Sequence, residues 1–177
     1  DNSTKAKPGG YYNLFGFMFV MYFIQAMPFG MQSDCLPVIL RSQGLSLSSI
    51  SSLKIMLLPW VLKPLYAPYL RITRSWFLRV LLGLAFVCLF SAFFTSLDNF
   101  FHVSVVLFTM NLLSASQDIL VDGMALQLLP ESLLGFGNSI QVISYKLGTI
   151  LAGGGLLYLY ERVKVGWNGL FLVLASI

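Results

Sequence analysis

The chain has 177 residues, of which 57% are hydrophobic and only 10% charged, against about 45–50% and 25% in a soluble domain. So few charges cannot cover a water-facing globule, and so many apolar residues exclude a disordered chain. Two cysteines, Cys35 and Cys88, exclude a disulfide scaffold, and the basic residues behind the net charge of +4 are too scattered for a nucleic-acid-binding patch. What remains is an all-α, polytopic membrane helix bundle whose immediate partner is the lipid bilayer, with no nucleic-acid partner.

Residues 1–10 are polar and read as a cytoplasmic N-terminus, with 11–177 as the transmembrane bundle. A bilayer core of about 30 Å takes about 20 apolar residues per helix. The first run, Tyr11 to Leu36, is interrupted only by Gln25, Pro28, Gln32 and Asp34. The second, Leu47 to Leu70, contains Lys54, Lys63 and prolines 59, 64 and 68. The third, Phe77 to Leu97, has no charge after Arg79, and the fourth, Phe100 to Leu129, carries Asp118 and Asp122. The fifth, Gly137 to Tyr160, includes Lys146 and the run Gly153-Gly154-Gly155. Leu170 to Ile177 is apolar but too short to cross, and is expected to be a sixth helix cut off mid-span. The expectation is therefore five full helices plus a truncated sixth, in a chain that lacks an initial Met and looks like a fragment.

Charge in the connections orients the bundle. Lys5, Lys7, Arg71, Arg74 and Arg79 fall on one side, and Arg41, Arg162 and Lys164 on the other. The positive-inside rule puts the first group in the cytoplasm. The sequon Asn2-Ser3-Thr4 would then also face the cytoplasm and stay unmodified.

Polar residues are not evenly spread. Asn111, Ser114, Asp118 and Asp122 recur every three or four residues and line one face of the fourth helix. Tyr22, Gln25, Phe29 and Gln32 make a similar stripe on the first. On the fifth, Asn138, Gln141 and Tyr145 share one face, while Ser139, Lys146 and Thr149 share the next. Gly148, Ala152 and Gly155 form a small-residue strip for close helix packing. The third helix is bare, Cys88 reads as a small apolar residue in lipid, and Cys35 as a free thiol near the outer surface. A charge at membrane depth costs about 2.5–3.5 kcal/mol, so these groups face a bundle interior or a wet cavity. They serve either a solute pathway or interhelical salt bridges. Depth from the cytoplasmic ends pairs Asp118 at ~15 Å with Lys146 at ~13.5 Å, and Asp122 with Lys63 at ~9 Å. Asp118 or Asp122 is expected to bind a proton during a transport cycle.

Catalysis lacks its groups. One His, His102, cannot supply the paired ligands of an intramembrane metalloprotease, and Asp118 and Asp122 on one helix face make no aspartyl dyad. The chain therefore reads as no enzyme, with no metal and no cofactor.

Four blocks occur in order: QAMPFGMQSDCLPVILRSQGLSLSSI, LPWVLKPLYAP, SQDILVDGMALQLLP and GFGNSIQVISYKLGTILAGG. Together they resemble the branch of the major facilitator superfamily that holds the bacterial muropeptide permeases and the acetyl-coenzyme A transporters. The resemblance implies the N-terminal six-helix half of a twelve-helix fold, partnered by the C-terminal six-helix half of the same protein. It implies a secondary transporter of a small-molecule solute, polar and often anionic, working by alternating access; a coupling proton is the expectation already attached to Asp118 and Asp122. Gln25, Pro28 and Gln32, then Gln117, Asp118 and Asp122, then Asn138, Gln141, Tyr145 and Lys146 match its cavity-facing blocks. Lys63 and Asn111 join them as candidate pathway residues from their own helices. Arg71 stands where that family usually has an acidic residue that latches the halves, and Ala26 and Phe29 stand where Gly and Tyr are frequent. The other reading is a non-transporting membrane subunit, or an inactive fragment, with structural charges; a channel is weaker, since no filter motif is present.

Overall fold

The computed structural model describes residues 8–94 and 99–177. Asn2, Ser3, Thr4, Lys5, Lys7 and the expected helix end at Leu97 lie outside the described residues. In chain order the elements are α1 (Tyr11–Ser42), a broken α2 (47–69), α3 (Arg74–Phe94), α4 (Phe100–Leu128), α5 (Glu131–Glu161) and a short α6 (Trp167–Ala175). α1, α3, α4 and α5 are each long and apolar enough to cross a membrane. No strand occurs among the described residues. The molecule is an all-α, multi-pass membrane helix bundle.

Local chemistry explains the boundaries. Gly44, at φ +90°, ends α1 with a left-handed residue that lets Leu45 N–H donate to the Leu40 carbonyl. The Ser46 hydroxyl accepts from Ser49 N–H at the start of α2, and Asn99 Oδ1 accepts from His102 N–H at the start of α4. α5 begins at Glu131, six residues before the apolar run, because extended Pro130 precedes it and an acidic residue suits the first turn.

α2 is broken where its prolines interrupt the apolar run. Short α-helical pieces at Leu47–Ser52 and Leu58–Val61 are separated by a tighter turn at Leu53–Leu57, a third at Lys63–Tyr66 follows after Leu62, and a second tighter turn at Ala67–Tyr69 ends the element. Pro59, Pro64 and Pro68 each remove an N–H and disfavour helix in the residue before them. Pro28, by contrast, is absorbed inside α1, followed by a wide π-helical turn at Met31–Cys35.

α5 lies along α1, α4 packs against α1 and α3, α2 rests on α4, and α6 packs on α3. Glycine sets the α1–α5 distance. A Cβ on Gly30 would collide with the Thr149 backbone, and one on Gly148 with the Phe23 carbonyl. A second π turn, Leu151–Gly155, shifts the register of α5, so Gly153 takes the place expected of Gly155 and rests against Asp34. Gly155 faces open space.

The apolar core falls into two clusters. Met31, Leu36, Leu107, Met110, Leu156 and Phe171 belong to the one toward the Arg41 end. Met18, Phe77, Val80, Leu120 and Val121 belong to the one toward the Arg71 end. Gln25, Ser114, Gln117 and Asp118 lie buried between them. Both cysteines are free and packed inside the first cluster, which corrects their expected places at the outer surface and in lipid. In that cluster they meet side chains of neighbouring helices, because α1 and α3 turn those faces inward.

Candidate functional site

The polar stripes of α1 and α4 face each other and, with α2 and α5, make a ladder of three tiers. Nearest the Arg71 end, Tyr22 OH donates to Asp122 Oδ1 at 2.6 Å and Gln141 Nε2 donates to the same oxygen at 3.1 Å. Tyr22, Asp122, Asn138 and Gln141 line a cleft of about 250 Å³ there. In the middle tier Asp118 is held from two sides: Gln25 Nε2 donates to one carboxylate oxygen and Lys63 Nζ to the other. The far tier centres on Asn111, whose Oδ1 accepts from Trp60 Nε1 at 3.0 Å. Its Nδ2 donates to Gln32 Oε1 and to the Leu107 carbonyl, and Gln32 Nε2 reaches the Leu53 carbonyl at 3.4 Å.

Aromatic rings fill the space between the middle and far tiers. Phe29, Trp60 and Tyr145 come from three helices, with centroids 5.9–6.5 Å apart. The Lys63 ammonium sits 4.2 Å from the centre of the Trp60 ring, a cation–π contact on the side not taken by Asp118. Trp60 thus holds Lys63 by its face and Asn111 by its N–H. At membrane depth a lone Lys or Asp would be costly, and pairing Lys63 with Asp118 offsets part of both penalties. The pair is not sealed: side-chain exposure is 23% for Lys63 and 11% for Asp118, enough for a solute group to reach it.

This pairing corrects the one expected from depth. Asp118 pairs with Lys63 rather than Lys146, and Asp122 is held by neutral donors rather than by Lys63. With α5 starting at Glu131, Lys146 lies ~22 Å from that end while Asp118 lies ~15 Å from the end of α4. Lys146 is exposed on α5. The tighter turn at Ala67–Tyr69 rises ~2.0 Å per residue and lifts Lys63 by only ~1.5 Å, so its long side chain covers the remaining distance to Asp118.

Of the candidate residues, Gln25, Gln32, Lys63, Asn111, Asp118, Asp122, Gln141 and Tyr145 come together in the ladder and its aromatic layer. Asn138 lines the cleft at one end of it. Gln117 is fully buried, and among the described residues neither of its polar atoms nor the neighbouring Ser114 Oγ has a hydrogen-bond partner. Trp60, the hub of the upper tiers, was not among the sequence candidates; a Trp three residues before a membrane lysine, on the same helical face, was its available signal. Among the described residues no three His, Cys, Asp or Glu side chains gather where a metal could sit.

Four apolar spans around a hydrogen-bonded polar interior define the class: a polytopic membrane protein with a hydrophilic face inside its bundle. Comparison with known proteins narrows it. The model of the acetyl-coenzyme A transporter 1 family matches residues 14–163, and the chain belongs to that family. It is 30% identical over 158 residues to an uncharacterized protein of Haemophilus influenzae, covering 85% of this chain and 37% of that one. It is 25% identical over 147 residues to the putative transporter AmpG 1 of Rickettsia prowazekii, covering 76% and 33%. It is 24% identical over 168 residues to the anhydromuropeptide permease of Escherichia coli, covering 90% and 34%. The chain spans about a third of the length of these relatives.

Proposed function

We propose that the protein is a secondary active transporter of a polar or anionic solute, of the acetyl-coenzyme A or muropeptide kind, working by alternating access. The observation that carries this reading is the reachable Lys63–Asp118 pair, set between an aromatic layer and a polar cleft inside a bundle of this family. A cation inside an apolar bundle attracts an anionic group, the aromatic rings offer apolar contact beside it, and the amides of Gln25, Gln32 and Gln141 supply orienting hydrogen bonds. Asp118 and Asp122 are the proposed acceptors of a coupling proton.

In this reading the chain is the N-terminal six-helix half of a major facilitator fold, its residues 1–10 and Arg71, Arg74 and Arg79 lie in the cytoplasm, and α2 and α6 count as spans two and six. Its blocks are also, in this reading, similar to those of major facilitator superfamily domain-containing protein 3, a member of that branch. A C-terminal six-helix half would close the cavity from the other side. A second reading has support in one feature: both Asp118 and Asp122 already have donors within the bundle, as purely structural charges would.

Proteoliposomes carrying the full-length protein separate the two. Uptake of labelled acetyl-coenzyme A or of a muropeptide, lost in Lys63→Met, is expected for a transporter. Absence of uptake across a panel of both solute classes would favour the structural reading.

A further inference from the structure

Lys63 is a cation at membrane depth that faces the ladder, and it is held in two unlike ways. A π face holds it on one side, through Trp60, and a carboxylate on the other, through Asp118. The π contact takes one side of the ammonium and leaves N–H donors on the other, where the carboxylate occupies the position any anionic oxygen would take. Asp118 does not depend on Lys63 alone, because Gln25 Nε2 holds its other oxygen from α1. Trp60 is itself fixed by its N–H on Asn111, so the ammonium keeps its place if the carboxylate leaves. The lysine and the carboxylate come from different elements, α2 and α4, so the pair can part without unwinding a helix.

From this arrangement we infer that Asp118 is an internal stand-in for the solute's anionic group. It occupies Lys63 when the site is empty and is displaced when a carboxylate or phosphate oxygen binds there. Gln25 then retains the displaced carboxylate, and Trp60 retains the ammonium. The inference deepens the transporter reading by assigning Lys63 as the anion-binding contact and Asp118 as its competitor. Such a competitor lowers affinity by design, since every bound anion must first break an ion pair. Asp122, one turn along α4, is a weaker second competitor, already engaged by Tyr22 and Gln141.

The test needs no knowledge of the natural solute. The purified protein in lipid nanodiscs is titrated with inorganic phosphate, and separately with acetate, while its thermal midpoint is followed. Asp118→Asn should bind at least tenfold more tightly than the parent protein, with Asp118→Asn/Asp122→Asn tighter still. The charge-free pair Lys63→Met/Asp118→Asn should show no response. If Asp118→Asn alone lowers the midpoint, millimolar phosphate should restore it, because the anion replaces the missing carboxylate. Stronger response to phosphate or to acetate identifies which anionic group the site prefers. Equal or weaker anion affinity in Asp118→Asn, a response that survives in Lys63→Met/Asp118→Asn, or a lost midpoint that neither anion restores, would overturn the inference. Because these titrations do not measure uptake, they can fail while transport stands, and transport can fail while they succeed.

Discussion

α3 and α4 lie side by side, and they differ in what they keep out of lipid. α3 has the higher mean hydropathy, 2.3 against 1.4. One face packs Phe77, Val80, Leu84 and Cys88 inward, and the other leaves Phe86, Phe90, Phe93 and Phe94 exposed. Phe90 stacks on both Phe86 and Phe94, so the outer face is a continuous aromatic ridge suited to lipid. α4 buries 56% of its best span against 33% for α3, and much of what it buries is polar: Asn111, Ser114, Gln117 and Asp118. The lesson is that hydropathy establishes residence in the membrane, while the chemistry lies in the polar groups that a helix turns away from lipid.

Substitutions can break this contrast, and the largest effect is expected at the ion pair. Lys63→Met strands Asp118 in the bundle interior and should cost about 3–5 kcal/mol, read by chemical unfolding in detergent. Lys63→Met/Asp118→Asn should recover most of that loss. Gly148→Leu, at the α1–α5 crossing, forces a side chain against the Phe23 carbonyl and should cost about 1–3 kcal/mol by the same measurement. Asp122→Asn keeps an acceptor for Tyr22 and Gln141 but exchanges charge-assisted for neutral hydrogen bonds, a loss of about 1 kcal/mol. Phe90→Leu on the α3 ridge, with no polar partner to lose, should change stability by less than about 0.5 kcal/mol. A loss at Phe90 as large as that at Lys63 would erase the distinction between the two helices.

Much of this was legible in the residues. The run that begins at Tyr11 lies within α1, those that begin at Phe100 and Leu170 overrun α4 and α6 by one and two residues, and the three- and four-residue spacings put the polar residues of α1 and of α4 each on one face, faces that meet through Tyr22–Asp122 and Gln25–Asp118. Pairing was not legible, because it depends on absolute height. The three prolines announce the break in α2, but not that Lys63 would face Asp118 rather than Asp122. Pro130 starts α5 before its apolar run does, which moves Lys146 out of reach. Trp60 was hidden by its type: an aromatic residue among prolines and leucines looks like packing until its N–H and its face are both seen to be occupied. The π turns that bring Gly153 rather than Gly155 against α1 leave no mark in composition.

The central claim is that the face bearing the ladder is wet and open to solute while the α3 ridge is in lipid. Single cysteines at Asn138 and Tyr145, and at Leu82 and Phe90 on α3, test it most directly, in a protein whose Cys35 and Cys88 are replaced by Ala. A charged, membrane-impermeant thiol reagent applied to open membrane fragments should modify Asn138→Cys and Tyr145→Cys, and acetyl-coenzyme A or a muropeptide should slow that modification. Leu82→Cys and Phe90→Cys should stay unmodified under the same conditions. Equal modification of both groups, or modification of the α3 pair alone, would contradict the account.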